Sequence, residues 1–129
     1  MPKANCSDIS PLKILVIDDQ LSQLKLMKSM LSRYGCQVVT VDSAEEAEQI
    51  IRWGERFSLI ITDLRMPWLN GAQFCKRVKA LHPELKVCAL SGNLENFEEH
   101  ELTRCGFDGV YQKPVSGELL REMLKHAQP

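Results

Sequence analysis

An excess of charge of either sign is missing from this chain: 16 basic and 17 acidic residues leave a net charge of -1 over 129 residues. Without a positive excess there is no broad field of the kind that supplies most non-specific affinity for nucleic acid, so direct nucleic-acid binding is not expected. Long apolar runs are missing as well. Stretches such as Ile14-Leu15-Val16-Ile17 fall far short of the roughly 20 residues that cross a bilayer, and no membrane span is expected. Lys3 is followed by the polar stretch Ala4 to Ser10 with no apolar segment behind it, unlike a secretory signal. Residues 1–11 therefore read as a disordered lead-in. The five cysteines (Cys6, Cys36, Cys75, Cys88, Cys105) include no CxxC pair and no neighbouring histidine at zinc-finger spacing, a pattern that suits a reducing cytoplasm. Cys88, inside an apolar run, and Cys36 and Cys105, beside helix-ending positions, are expected to act as small hydrophobes.

What is present is an ordinary globular composition, 44% apolar and 26% charged, at a length that supports one domain with one core. Lys13 to Ile17 is short, apolar and rich in β-branched residues, which predicts a strand buried on both faces. From Leu21, the positions Leu24, Met27, Met30, Leu31 and Tyr34 recur at three- and four-residue spacing, one stripe of an amphipathic helix that Gly35 ends. Gln37 to Val41 predicts a second strand, and Ser43-Ala44-Glu45-Glu46 a capping box opening a helix through Ala47, Ile50 and Ile51 to about Gly54. Ser58 to Thr62 repeats the apolar strand. Pro67 and Asn70-Gly71 predict a turn, and Phe74, Val78 and Leu81 a third helix that His82-Pro83 terminates. A fourth strand over Lys86 to Leu90, an acid-rich helix over about Glu95 to Arg104, a fifth strand over Gly109 to Gln112 and a last helix capped by Ser116 complete five β-α units. Strict alternation without a hairpin signal implies an α/β fold, a doubly wound parallel sheet with helices on both faces.

In such sheets ligands sit beyond the carboxyl ends of the strands, where strand order reverses. The residues there are Asp18 and Asp19 after the first strand, Asp63 after the third, Ser91 after the fourth and Lys113 after the fifth. Carboxylates gathered in one shallow pocket repel one another by about 1–4 kcal/mol per close pair. Lys113 offsets part of this, and a hard divalent cation such as Mg²⁺, which takes carboxylate, water and phosphate oxygens, is the simplest remainder. A carboxylate can also act as a nucleophile toward phosphorus, and phosphoryl transfer needs little beyond in-line positioning and charge neutralisation. Asp63 stands alone at its strand end and reads as the nucleophile; Asp18 and Asp19 are better placed for metal. Ser91 and Lys113 can each meet a phosphoryl oxygen.

The stretches Ile14-Leu15-Val16-Ile17-Asp18-Asp19, Leu59-Ile60-Ile61-Thr62-Asp63-Leu64-Arg65-Met66-Pro67, Asn70-Gly71, Ala89-Leu90-Ser91-Gly92 and Lys113-Pro114 resemble, in order and spacing, the receiver domain of two-component response regulators. The resemblance covers about Leu12 to Ala127. It implies a flavodoxin-like sheet of strand order 2-1-3-4-5 with five helices, in a receiver domain spanning residues 12–127. It further implies that Asp63 accepts phosphate from a sensor histidine kinase or histidine phosphotransfer protein. Asp19 would then bind Mg²⁺ directly, Asp18 through water, and the Arg65 backbone carbonyl would complete the protein ligands together with Asp63. Ser91 and Lys113 would contact the phosphoryl group, and the Lys113-Pro114 bond would be cis. Ser91 and Tyr111 would be the switch pair that remodels the face formed by the fourth helix, fifth strand and fifth helix. Such a domain is a cytoplasmic signalling switch that catalyses only its own phosphorylation and dephosphorylation, not an enzyme acting on other substrates.

Trp68 and Asn70 depart from the residues common at those places. Side chains two beyond Asp63 and two beyond Ser91, Arg65 and Asn93, are expected to tune the lifetime of the phosphorylated state. No effector follows the last helix in this sequence, so the output is either docking to a downstream partner or control of an effector domain in a longer chain. Two rivals are weaker. An aspartyl-nucleophile phosphatase would want an acid where Arg65 stands, and a flavin carrier would be repelled by Asp18-Asp19-Gln20.

Overall fold

The computed structural model describes residues 12–65, 70–92 and 104–127. Within them the element order is β1 (Lys13–Ile17), α1 (Leu21–Ser32), β2 (Gln37–Val41), α2 (Ala44–Arg52), β3 (Leu59–Asp63), α3 (Gly71–Leu81), β4 (Val87–Ser91), β5 (Gly109–Gln112) and α4 (Gly117–Leu124), followed by a 3-10 turn over Lys125–Ala127. The strands form one sheet in the order β2-β1-β3-β4-β5, and each adjacent pair is parallel. Four α-helices are present among the described residues rather than the five expected. The helix expected over about Glu95 to Arg104 lies outside the described residues except at its last position, as does the lead-in at 1–11.

The parallel arrangement requires helices on both faces, and the core accordingly divides in two. On one face Leu15, Ile17, Ile60 and Ala89 of the strands pack with Ala47 and Ile51 of α2 and Phe74, Cys75 and Val78 of α3. On the other, Ile14, Val16, Ile61, Cys88 and Leu90 pack with Leu24, Met27 and Leu31 of α1 and Leu120, Met123 and Leu124 of α4. The alternation along each strand thus serves both layers, and β3 and β4 are buried at every position. Each fully buried side chain of this kind contributes about 1.5–3 kcal/mol. Cys75 and Cys88 are 0% exposed, and burial pushes each thiol up to about 12, as expected of cysteines that serve as hydrophobes.

The helix starts follow local side-chain chemistry. Ser43 accepts from the Glu46 N–H at 3.1 Å, and Ser116 accepts from the Leu119 N–H at 3.1 Å. Asn70-Gly71, read from the sequence as a turn, is instead the cap and first residue of α3. Asn70 Oδ1 accepts from the Gln73 N–H at 2.9 Å, and Gln73 Oε1 accepts from the Asn70 N–H at 3.1 Å, a complete reciprocal capping box. Gly35 follows α1 at φ 82°, the left-handed conformation that glycine adopts without steric cost.

Two strands run one residue further than apolarity implied. Asp63 belongs to β3 and Ser91 to β4. Backbone pairing is indifferent to side-chain polarity: Asp63 stays in register with Leu90, and the Lys113 N–H donates to the Ser91 carbonyl at 2.8 Å. The ladder therefore continues through the polar ends, and this holds those side chains at fixed positions.

Candidate functional site

Register brings the polar strand ends together. Ile17 pairs with Thr62, so the next residues, Asp18 and Asp63, emerge side by side. Ser91 pairs with Gln112, so Lys113 follows directly beside it. These four positions come from four strands. Asp18 is 4% exposed, Asp63 9% and Ser91 1%, an unusual degree of burial for residues that a sequence places in loops or at strand ends.

The local bonds explain how two buried carboxylates coexist. Asp18 Oδ1 accepts from the Gln20 N–H at 2.9 Å and Asp18 Oδ2 from Lys113 Nζ at 3.1 Å. Asp63 Oδ1 accepts from the Arg65 N–H at 3.2 Å. Its other oxygen lies 3.5 Å from Lys113 Nζ. The lysine thus spans both acids. Even so, the Asp63 carboxyl sits above its ordinary range. Burial is the largest cause and the neighbouring Asp18 adds to it, against the opposing pull of Lys113 and the Arg65 N–H. One cation shared between two acids leaves Asp63 under-compensated.

Carboxylate oxygens of Asp18, Asp19 and Asp63 all lie within 4.8 Å of one another. Three hard oxygen donors at that spacing, with one of them exposed and open to water, suit an ion such as Mg²⁺ that binds through a few carboxylates and keeps several waters. The under-compensated charge on Asp63 points the same way. Asp19, the exposed member, lies at the mouth of the site, whereas Asp18 is buried beneath it with each oxygen engaged.

Of the residues singled out from sequence, Asp18, Asp19, Asp63 and Lys113 come together through the contacts above, and Ser91 ends the strand next to Asp63. Arg65 is exposed with its N–H on Asp63. The Lys113-Pro114 peptide is cis. Tyr111 lies on the edge strand β5, half-buried, with its hydroxyl 2.7 Å from His126 Nε2. Asn93 and Trp68 lie outside the described residues.

Sequence reasoning missed two features. Gly71 comes so close to the backbone at the end of β3 that a Cβ there would sit 2.4 Å from the Asp63 carbonyl oxygen; its signal was the Asn-Gly pair, which was read as a turn. His126, the partner of Tyr111, left no signal, because a single histidine 15 residues away matches no spacing rule.

The sequence model of a family described as the response regulator receiver domain matches residues 14–125. Among curated proteins, the virulence sensor protein BvgS of Bordetella bronchiseptica is 33% identical over 124 residues, which cover 90% of this chain and 10% of BvgS. The chain therefore spans about a tenth of the length of that relative. Among solved structures, a response regulator receiver domain protein of Clostridium thermocellum is 30% identical with a TM-score of 0.81, covering 90% of this chain and 93% of its own. The response regulator protein TrrA of Thermotoga maritima, solved in complex with Mg²⁺-BeF, is 23% identical with a TM-score of 0.81, covering 91% of this chain and 99% of its own; at that identity the likeness is one of fold.

Proposed function

The chain belongs to the response regulator receiver domain family, the regulatory phosphoacceptor domains of two-component signalling, and from that premise we propose that it is a switch thrown by phosphorylation of Asp63. The observation that carries the assignment is the juxtaposition of Asp63, Asp18 and Asp19, with carboxylate oxygens within 4.8 Å, and the single lysine spanning two of them. The unit concerned is residues 12–127, with 1–11 a lead-in.

The phosphodonor is a sensor histidine kinase or a histidine phosphotransfer protein. An Asp63 carboxylate oxygen forms the new bond to phosphorus as the phosphorus–nitrogen bond of the donor phosphohistidine breaks, and the electron pair returns to the imidazole, which takes up a proton. Asp18, Asp19 and Asp63, with the Arg65 carbonyl, would hold Mg²⁺, which neutralises charge on the transferring group. The fold neighbour from Thermotoga was solved with Mg²⁺-BeF, which supports this pairing of cation and phosphoryl mimic on such a sheet. Lys113 releases Asp63 and pairs with a phosphoryl oxygen as a point charge, and the Ser91 hydroxyl donates to another. Ser91 then carries the change to the surface formed by β5, α4 and the segment before β5, where a downstream partner or fused effector reads it; Tyr111, expected from the sequence to be its partner, packs on the opposite face of the sheet with Cys88 and Leu90. Arg65 and Asn93 set how readily water reaches the acyl phosphate.

The unit acts in the cytoplasm and neither binds nucleic acid directly nor sits in a membrane. Among the described residues no helix is long and apolar enough to cross one. Its chemistry is confined to its own phosphorylation and dephosphorylation.

Acetyl phosphate with Mg²⁺ is the direct test. Intact mass should rise by one phosphate on the parent and not on Asp63→Asn, and Asp19→Ala should weaken Mg²⁺ binding. Phosphorylation of Asp63→Asn at the parent rate overturns the assignment. For isolated phosphoprotein in saturating Mg²⁺, Arg65→Ala and Asn93→Ala should change the rate of phosphate loss; parent rates in both place control of lifetime elsewhere.

A further inference from the structure

The residues that end α2 and α3, together with those that lead into β3 and β4, line a cavity of about 250 Å³. It lies at the amino ends of two strands whose carboxyl ends carry Asp63 and Ser91. Its inner wall is apolar, with Ile51 and Phe57 buried and Leu85 half-buried; its outer wall is polar, with Arg56 and Glu84 exposed and His82 half-buried. Lys13 steadies the Phe57 ring, its Nζ 5.3 Å from the ring centroid, and pairs with Glu55. Glu55 is thereby taken, and Arg56 forms no ion pair among the described residues. The Glu84 side chain is 74% exposed, and its contact with His82 Nδ1, at 3.6 Å, is longer than a hydrogen bond. Trp53, the C-cap of α2, directly precedes Gly54 of the cavity wall. At 79% it is the most exposed large apolar side chain among the described residues, and Leu81, which precedes His82, is exposed as well.

A lone exposed apolar residue is ordinary on a protein surface. Here the indole stands beside an apolar-walled cavity smaller than the roughly 300–1,000 Å³ of small-molecule and cofactor sites, a size that suits one large side chain. We propose that its occupant is Trp53 of a second copy of this chain, each copy placing its indole in the other's cavity about a two-fold axis. Plug and socket on one surface are what an isologous contact requires, since residue i meets j and j meets i. The charges agree with this. Arg56 belongs to the connection after α2 and Glu84 to the connection after α3, so a two-fold rotation that exchanges the two sides sets Arg56 of one copy against Glu84 of the other. The Arg56 guanidinium also lies where it can cover the inserted indole, a cation–π contact, and Trp and Arg are the residue types that dominate such interfaces. The patch is small, so the dimer is a weak one, with a dissociation constant on the order of 10–100 µM. It leaves Asp63 and Lys113 open in both copies, because they stand at the opposite ends of the strands.

Sedimentation velocity of the full chain from about 5 µM to about 1 mM follows the association. The parent passes from monomer to dimer across that range, and in a Trp68→Phe background the Trp53 emission moves to the blue with it as the indole leaves water. Trp53→Ala, at an exposed position that does not enter the core, weakens association by about 30-fold or more. Arg56→Glu weakens it by about tenfold, and the swapped protein Arg56→Glu/Glu84→Arg returns toward the parent, a rescue that a general loss of folding would not give. Excess free indole, the isolated plug, dissociates the parent dimer. A parent that dimerises as tightly with Trp53→Ala as without it overturns the proposal, because the contact then lies on another face. A parent that stays monomeric to about 1 mM also overturns it; if indole then still shifts the Gly54 and Leu85 amide resonances, the cavity takes an aromatic side chain of a different protein rather than of a second copy.

Discussion

Two glycines occupy equivalent helical positions, and alanine at each should have opposite effects. Gly71 follows the Asn70 cap of α3, and Gly117 follows the Ser116 cap of α4. In either helix alanine gains about 0.5–1 kcal/mol from propensity and reduced unfolded-state entropy. The surroundings then decide. At 71 the new methyl would stand 2.4 Å from the Asp63 carbonyl oxygen and 3.1 Å from Leu64 Cα, about 1 Å inside ordinary contact, and these are backbone atoms that cannot rotate aside. The Gly71 N–H also donates to the Leu64 carbonyl at 3.2 Å, so the helix start cannot retreat without losing a bond. Overpacking of this kind costs about 1–3 kcal/mol, and the upper half of that range leaves Gly71→Ala about 1–2 kcal/mol less stable than the parent. Among the described residues the methyl at 117 meets only the Tyr34 hydroxyl, at 3.3 Å, the far end of an exposed side chain. Gly117→Ala should be neutral or more stable by up to about 1 kcal/mol. With urea m-values of about 1–3 kcal/mol/M, the unfolding midpoint falls by about 0.3–2 M for Gly71→Ala and stays level or rises for Gly117→Ala. Displacement of the Asp63 carbonyl should also weaken Mg²⁺ binding in the first variant alone. Equal midpoint shifts in the two proteins would refute the reasoning, because they differ in local packing and not in helix position.

Lys113→Met removes the cation from two carboxylates whose side chains are only 6% and 11% exposed. It should destabilise the metal-free protein at pH 7 by about 2–4 kcal/mol, with part of the loss restored by Mg²⁺ in thermal melts. Asp63→Asn should have the reverse sign. Because the folded carboxyl lies above its ordinary value, the parent loses stability as pH rises through that folded pKa, and the loss is absent below the unfolded value of about 3.9. The variant should therefore be more stable than the parent in metal-free urea unfolding at pH 7, with the difference shrinking on acidification, and a destabilised variant at pH 7 would contradict this. Cys75 and Cys88, with thiols pushed up to about 12, should escape alkylation by iodoacetamide at pH 8 in the folded protein and react in urea, as mapped by peptide mass.

The elements themselves were legible because their signals are local. The apolar run at 13–17, the stripe through Leu24, Met27 and Leu31, and the cap at Ser43 each depend on residues within a few positions, and the structure reproduces them. The clustering of Asp18, Asp19, Asp63 and Lys113 was legible for a related reason. An acid directly after a short buried strand is conspicuous, and strict alternation of strands and helices carries all such ends to one side of a parallel sheet. The strand ends were misjudged by one residue because apolarity was used to mark a ladder that backbone hydrogen bonds extend through Asp63 and Ser91. The Asn70-Gly71 pair was misjudged because an N-cap and a turn draw on the same residue types.

What only the tertiary structure decided is how the charges share one another. Lys113 and Asp18 are 95 residues apart, and nothing along the chain indicates that one lysine would bridge Asp18 and Asp63 while Asp19 faces outward. That outcome follows from strand order and register, which put Asp18 beside Asp63, and from the burial that raises the Asp63 carboxyl. The Tyr111–His126 bond is of the same kind. Local sequence patterns act through backbone dihedrals and side-chain periodicity over one or two turns. Contacts between distant residues depend on how whole layers pack.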